Sequence, residues 1–250
     1  VTAITTTETG DKEFWAKWNP NTYIVSASVS PESAGTINGL AETGEYVYNT
    51  NATLTATANE GYTFTNWTEN DAVVSTNAEY TFTVTGDRTL VANFTINSYE
   101  ITASTNPAEG GSVTGAGTFN HGATATLTAT PAANYLFSNW TKSGEEVSTN
   151  ATYTFSVTEN GDYVANFTAM GTVVTPTFSP AAGTYNTAQN VTLNCTTEGA
   201  TIRYTTDGSE PNAQSSVYTE PIATTSNGTT TIKAIAMKED MINSAVAEAT

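Results

Sequence analysis

Two stretches of this chain carry one skeleton. Tyr23 to Phe94 and Tyr99 to Phe167 run in parallel: Tyr62-Thr-Phe-Thr-Asn-Trp67 returns as Tyr135-Leu-Phe-Ser-Asn-Trp140, Val74-Ser-Thr-Asn-Ala as Val147-Ser-Thr-Asn-Ala, and Leu90-Val-Ala-Asn-Phe94 as Tyr163-Val-Ala-Asn-Phe167. From Leu54 to Phe94 the offset is 73 residues, and at Tyr23 and Tyr99 it is 76. The three-residue difference therefore falls in the loop around Gly39 to Gly44. A repeat that tolerates a change of loop length while keeping its apolar skeleton is an architectural unit.

The residues between the landmarks say what kind of unit it is. Ala52, Leu54, Ala56 and Ala58 alternate with Thr53, Thr55 and Thr57, and Tyr80, Phe82 and Val84 alternate with Thr81, Thr83 and Thr85. Period-two alternation marks strands with one wet face, and Thr, 53 of 250 residues, suits that face. Turn signals at Asn38-Gly39, Glu60-Gly61 and Gly86-Asp87 make each repeat read as a chain of hairpins. No long amphipathic helical run occurs, and Ile232 to Ala249 reads as two strands around Lys238-Glu-Asp-Met. The spacer Thr95-Ile-Asn-Ser98 is too short for the repeats to swing freely, so a semi-rigid rod is expected.

The expected fold class is all-β: tandem small antiparallel β-repeat domains followed by an immunoglobulin-like β-sandwich. The expected boundaries are 1–19 for the remnant of a preceding repeat, 20–95 and 96–168 for two β-repeat domains, and 169–250 for the sandwich. Val1 starts inside a strand-like pattern, so the chain reads as a piece of a longer exported protein. The truncated strand Phe14-Trp-Ala-Lys-Trp18 is expected to dock or to self-associate, in a chain otherwise monomeric. In the last segment, Val191-Thr-Leu-Asn-Cys, Ala200-Thr-Ile-Arg-Tyr204 and Thr230-Thr-Ile-Lys-Ala-Ile-Ala236 are strands, with a hairpin turn at Asp207-Gly208.

Charge is scarce and one-sided, 7 Lys plus Arg against 24 Asp plus Glu. A net charge of -17 repels phosphate backbones and anionic lipid, so nucleic acid is excluded as a partner. No apolar run is long enough for membrane insertion. One Cys and one His exclude an internal disulfide and the usual thiolate or imidazole metal clusters, so no metal and no cofactor is expected. Cys195 shares an apolar face with Val191 and Leu193 and reads as a small buried hydrophobe.

Residues 20–168 resemble the divergent internalin-type B-repeats of bacterial surface proteins. The likeness is carried by Gly35-Thr-Ile-Asn-Gly39, Gly111-Ser-Val-Thr-Gly115, the Ala-Thr-Leu-Thr-Ala-Thr run, Gly61-Tyr-Thr-Phe-Thr-Asn-Trp67 and the closing Ala-Asn-Phe. Thr9-Gly-Asp-Lys-Glu-Phe-Trp-Ala-Lys-Trp18 is similar to the end of a related β-grasp repeat. Residues 176–250 resemble the chitobiase and β-hexosaminidase C-terminal domain through Pro180-Ala-Ala-Gly-Thr-Tyr185, Val191-Thr-Leu and Ile202-Arg-Tyr-Thr-Thr-Asp-Gly-Ser-Glu-Pro211. That resemblance implies an accessory sandwich without catalytic residues.

Catalysis needs an acid, base, nucleophile or metal held at one point, and the sequence offers none. His121 in Asn120-His-Gly122 stands where the first repeat has Tyr48, and reads as a turn residue. Eight aromatic positions are shared between the repeats, among them Trp67 with Trp140 and Phe82 with Phe155, and shared aromatics read as core. The unshared ones are the ligand-contact candidates: Tyr48, Tyr163, Tyr185, Tyr204 and Tyr218. Asn-x-Thr occurs nine times and reads as a product of Thr-rich composition. The expected function is a non-catalytic stalk of a secreted or surface-anchored bacterial protein at the extracellular face, presenting another domain or aiding adhesion. The alternative is an accessory module of an adhesin or glycosidase that binds a host or matrix protein or a glycan.

Overall fold

The computed structural model describes residues 18–250, so the expectation for the truncated strand lies outside the described residues. The chain divides into two compact units. One ends at Ser98 and adds the turn Asn120–Gly122; the other holds Tyr99–Phe119 and Ala123–Thr250.

The first repeat is built from β1 (Thr22–Ser30), β2 (Gly35–Asn38), β3 (Glu45–Val47), β4 (Asn51–Ala58), β5 (Tyr62–Glu69), β6 (Ala72–Ser75), β7 (Glu79–Thr83) and β8 (Arg88–Ile96). They form two sheets, β3-β1-β8-β5-β6 and β2-β4-β7. The chain thus crosses repeatedly between sheets, although β5 and β6 do close a hairpin. The larger sheet is mixed: β1 and β8, first and last in sequence, lie side by side and parallel, Val25–Ser30 against Arg88–Asn93. No local sequence signal marks such a pairing, because its partners are more than sixty residues apart.

The alternation does set which side of each strand is buried. Ala52, Leu54 and Ala56 of β4 meet Val25, Trp67, Leu90, Ala92 and Phe94 of the larger sheet in one core. The Trp67 indole is fully buried, packs against Phe64 with ring centroids 6.1 Å apart, and donates to the carbonyl of Ala78 at 3.1 Å. Outward hydroxyls pair across strands, Thr53 with Thr81 at 2.8 Å and Thr65 with Thr95 at 2.9 Å. Gly35 is required by packing, since a Cβ there would collide with the Phe94 ring and the Thr57 carbonyl. Gly111 meets the Phe167 ring and the Thr130 carbonyl in the same way.

The second repeat follows the same plan with β9 (Ser98–Asn106), β10 (Gly111–Thr114), β11 (Gly117–Asn120), β12 (Thr124–Pro131), β13 (Tyr135–Lys142), β14 (Glu145–Ser148), β15 (Thr152–Ser156) and β16 (Gly161–Ala169). Its sheets are β11-β9-β16-β13-β14 and β10-β12-β15, with β9 and β16 parallel. Trp140 is again fully buried and donates to Ala151 at 3.1 Å.

The loop of variable length has its own fastening. In the first repeat the Tyr46 hydroxyl donates to the Gly39 carbonyl and accepts from the Ala41 amide, both at 2.9 Å. The shorter loop of the second repeat has Phe119 at that position and no hydroxyl to offer. Four of the Asn-x-Thr triplets also have a structural cause. A bulge in β5 lets the Asn93 side-chain amide donate to the Asn66 Oδ1 at 2.9 Å and to the Thr68 hydroxyl at 3.0 Å, and Asn166 does the same with the side chains of Asn139 and Thr141. The triplets headed by Asn66, Asn93, Asn139 and Asn166 belong to this polar seam, so composition alone does not account for them.

The C-terminal segment packs β17 (Thr177–Ser179), β18 (Asn190–Asn194) and β21 (Ile222–Ala223) against β20 (Ser216–Val217), β19 (Thr201–Thr205), β22 (Ile232–Met237) and β23 (Ala247–Ala249). Val173, Val191, Leu193, Ile202, Ile222, Ile232, Ala234 and Ala236 fill the space between the two sheets. Residues 232–249 form two antiparallel strands, as the sequence indicates. Asp207-Gly208 is not a tight two-residue turn, although the strands on either side, β19 and β20, do pair antiparallel, Arg203 with Val217 and Tyr204 with Ser216. Asp207 instead accepts from the Ser209 amide and hydroxyl, and Gly208 donates to Thr231, so the pair opens a long loop between β19 and β20. Cys195 is half-buried at the core's edge, its thiol donating to the Val174 carbonyl at 3.1 Å.

Candidate functional site

The five candidate tyrosines fall in different places. Tyr48, at the tip of the turn after β3, is 51% exposed and tilts against Tyr23 at 6.1 Å. Tyr185 is 44% exposed and its hydroxyl donates to the Ala181 carbonyl at 2.6 Å. Tyr204 and Tyr218 do meet, edge to face at 6.4 Å, but both pack against the sandwich core. Tyr163 is 5% exposed and enclosed by Phe155 at 4.8 Å and Tyr153 at 6.0 Å. A ring so enclosed offers no face to a ligand, so Tyr163 belongs to the core.

Leu90 stands at the place of Tyr163 in the first repeat. The neighbours explain the exchange. In the first repeat Arg88 lies over the Phe82 ring at 4.3 Å, bonds the Tyr80 hydroxyl at 3.2 Å, and clasps both oxygens of Glu69 at 2.7 to 3.1 Å. Hydrogen bonding from Arg88 holds the Glu69 carboxyl below its ordinary range, and the same bond raises Arg88. The second repeat has Gly161 where Arg88 would be and Lys142 where Glu69 would be. Tyr163 fills the vacated space over Phe155, while Lys142 turns to Glu159 at 2.6 Å and stands 5.7 Å from the Tyr163 ring. Burial raises the Tyr163 hydroxyl. A cation over an aromatic pair has been replaced by a third aromatic ring.

The sandwich carries a cleft of about 360 Å³, lined by Tyr185, Gln189, Val191, Thr224, Ile232 and Thr250, among other residues. Hydroxyls and an amide surround a small apolar floor, a lining suited to a neutral polyol and poor for an anion or a metal. Among the described residues no three His, Cys, Asp or Glu side chains gather as a metal site, and no helix is long and apolar enough to cross a membrane. His121 sits in a turn with its amide on the Asn97 carbonyl.

The repeat geometry agrees with what comparison finds. The divergent InlB B-repeat domain matches at residues 25–98 and again at 101–171, more than half of the chain. The chain belongs to this family. Its B-repeats are followed by a match to the chitobiase/beta-hexosaminidase C-terminal domain at residues 180–248. The matched domains are repeat and accessory domains, of kinds typical of extracellular or surface proteins. No curated protein matches the chain. Among solved structures, the Bacillus anthracis TIE protein aligns over 92% of this chain and 48% of its own length, at 11% identity and a TM-score of 0.33. The chain spans about half the length of that protein.

Proposed function

We propose that this segment is a non-catalytic spacer of a secreted or surface-anchored bacterial protein, which presents another domain or contributes to adhesion. The observation that carries this reading is the junction between repeats: one residue, Asn97, separates β8 from β9. Each repeat has its own core of buried side chains. The charged groups support the non-catalytic side, since Glu69 is already clasped by Arg88 and Lys233 by Glu210 and Glu248. Small-angle X-ray scattering of the chain tests the spacer reading. A single elongated form with a long-tailed distance distribution is expected, and a compact or broadly averaged form would overturn it.

The sandwich cleft supports a second reading, an accessory module that binds neutral glycans through Tyr185 and the surrounding hydroxyls. A glycan array separates the two. Binding that is lost in Tyr185→Ala would favour the module, and an array without signal would favour the spacer.

A further inference from the structure

The turns after β3 and β11 share one backbone frame. Tyr48 N–H donates to the Asn21 carbonyl at 2.8 Å, and His121 N–H donates to the Asn97 carbonyl at 2.8 Å. The next residue has positive φ in both, 63° at Asn49 and 76° at Gly122. What lies against the two tips differs. Residues 120–122 pack within the first unit, where the His121 imidazole rests on Gly61 so closely that a Cβ on that glycine would collide with the ring. Gly61 has φ +79°, and its carbonyl accepts the Asn97 N–H at 2.8 Å. Three contacts therefore make a socket: turn carbonyl to Asn97 N–H, Asn97 carbonyl to His121 N–H, and an aromatic ring on a bare Cα.

The first repeat carries the same plug in a larger form. Tyr48 is 51% exposed and Asn21 is exposed, at the places that His121 and Asn97 take in the socket. The second repeat offers no place for that plug. Its counterpart of Gly61 is Asn134, at φ 67°, whose carbonyl accepts the Met170 N–H at 2.7 Å. The turn is preserved, but a side chain stands where the ring would lie, so two copies of this chain cannot join head to tail through it.

We propose that Tyr48 and Asn21 form a docking surface for a further B-repeat whose turn has glycine at the Gly61 position. The Tyr48 ring rests on that glycine and the Asn21 N–H takes the turn carbonyl. This assignment is independent of whether the segment spaces or binds.

The test duplicates residues 21–96 in place, so that the full chain follows an added upstream copy through the same one-residue junction. Thr43→Ser in the upstream copy distinguishes the two by mass. Tetranitromethane nitration of Tyr48 is then followed by mass spectrometry, at a concentration where light scattering reports a monomer. We expect several-fold slower nitration of Tyr48 in the downstream copy than in the upstream copy. Gly61→Asn in the upstream copy copies what the second repeat tolerates at Asn134, and should restore the fast rate. Equal rates in the two copies would overturn the proposal, as would protection that survives Gly61→Asn.

Discussion

Replacing Trp67 with Ala removes the largest fully buried side chain of the first repeat. The indole contributes in two ways, packing against Phe64 and the β4 side chains and donating to Ala78. The second contribution is partly insured, because the Ala78 carbonyl also accepts the Ala56 amide at 3.0 Å and would not be orphaned. The cost is therefore mainly that of the cavity, about 3–5 kcal/mol for a large aromatic truncated to Ala. Trp67→Phe retains most of the packing and loses the hydrogen bond, for roughly 2 kcal/mol. In a domain of this size the Ala variant should lower the melting temperature of the first repeat by about 15 °C or more. Scanning calorimetry should show that transition moving while the one that reports Trp140 stays, since the second repeat has a separate core. If Trp67→Ala melts like the parent chain, or if iodide quenches Trp67 freely in the native state, this account of the core is wrong.

Arg88→Ala removes both the cation over Phe82 and the clasp on Glu69, and should cost about 1–2 kcal/mol by chemical denaturation. Because the Glu69 carboxyl is held low in the fold, its stabilisation is complete above its unfolded value and is lost as pH falls through the folded one. The stability gap between the parent chain and Glu69→Gln should therefore shrink with acidification, and a gap that widens would refute the assignment. Tyr163→Leu should cost about 1–3 kcal/mol, and adding Gly161→Arg with Lys142→Glu should recover part of it by rebuilding the first repeat's arrangement; a mutant cycle without coupling would count against the exchange. Tyr46→Phe should cost about 1 kcal/mol through the lost loop fastening, whereas Phe119→Tyr should gain nothing measurable by urea titration.

The strands and their buried faces were legible because alternation is a local property: Ala52, Leu54 and Ala56 point inward as the pattern requires. The tryptophan cores were legible because the repeat prints them twice. The parallel contact of β1 with β8 was not, since nothing in Val25–Ser30 names a partner at Arg88–Asn93. Tyr163 misled for a related reason. Its meaning lies in Gly161 and Lys142, whose side chains differ from Arg88 and Glu69 together, and a comparison made one position at a time misses a change made by three. The Tyr48 seat needed both turns in three dimensions, because Asn134 against Gly61 is an unremarkable difference until the His121 ring is seen on the glycine.

The parallel ladder of β1 and β8 has a further consequence. With first and last strands side by side and running the same way, the chain enters a repeat at one end and leaves at the other. Tension on the termini then slides the two strands past each other, and the hydrogen bonds from Val25–Ser30 to Arg88–Asn93 resist in shear as a set. An antiparallel pair at the same place would open like a zipper, one bond at a time. Each repeat is thus wired to yield to force by a single concerted rupture.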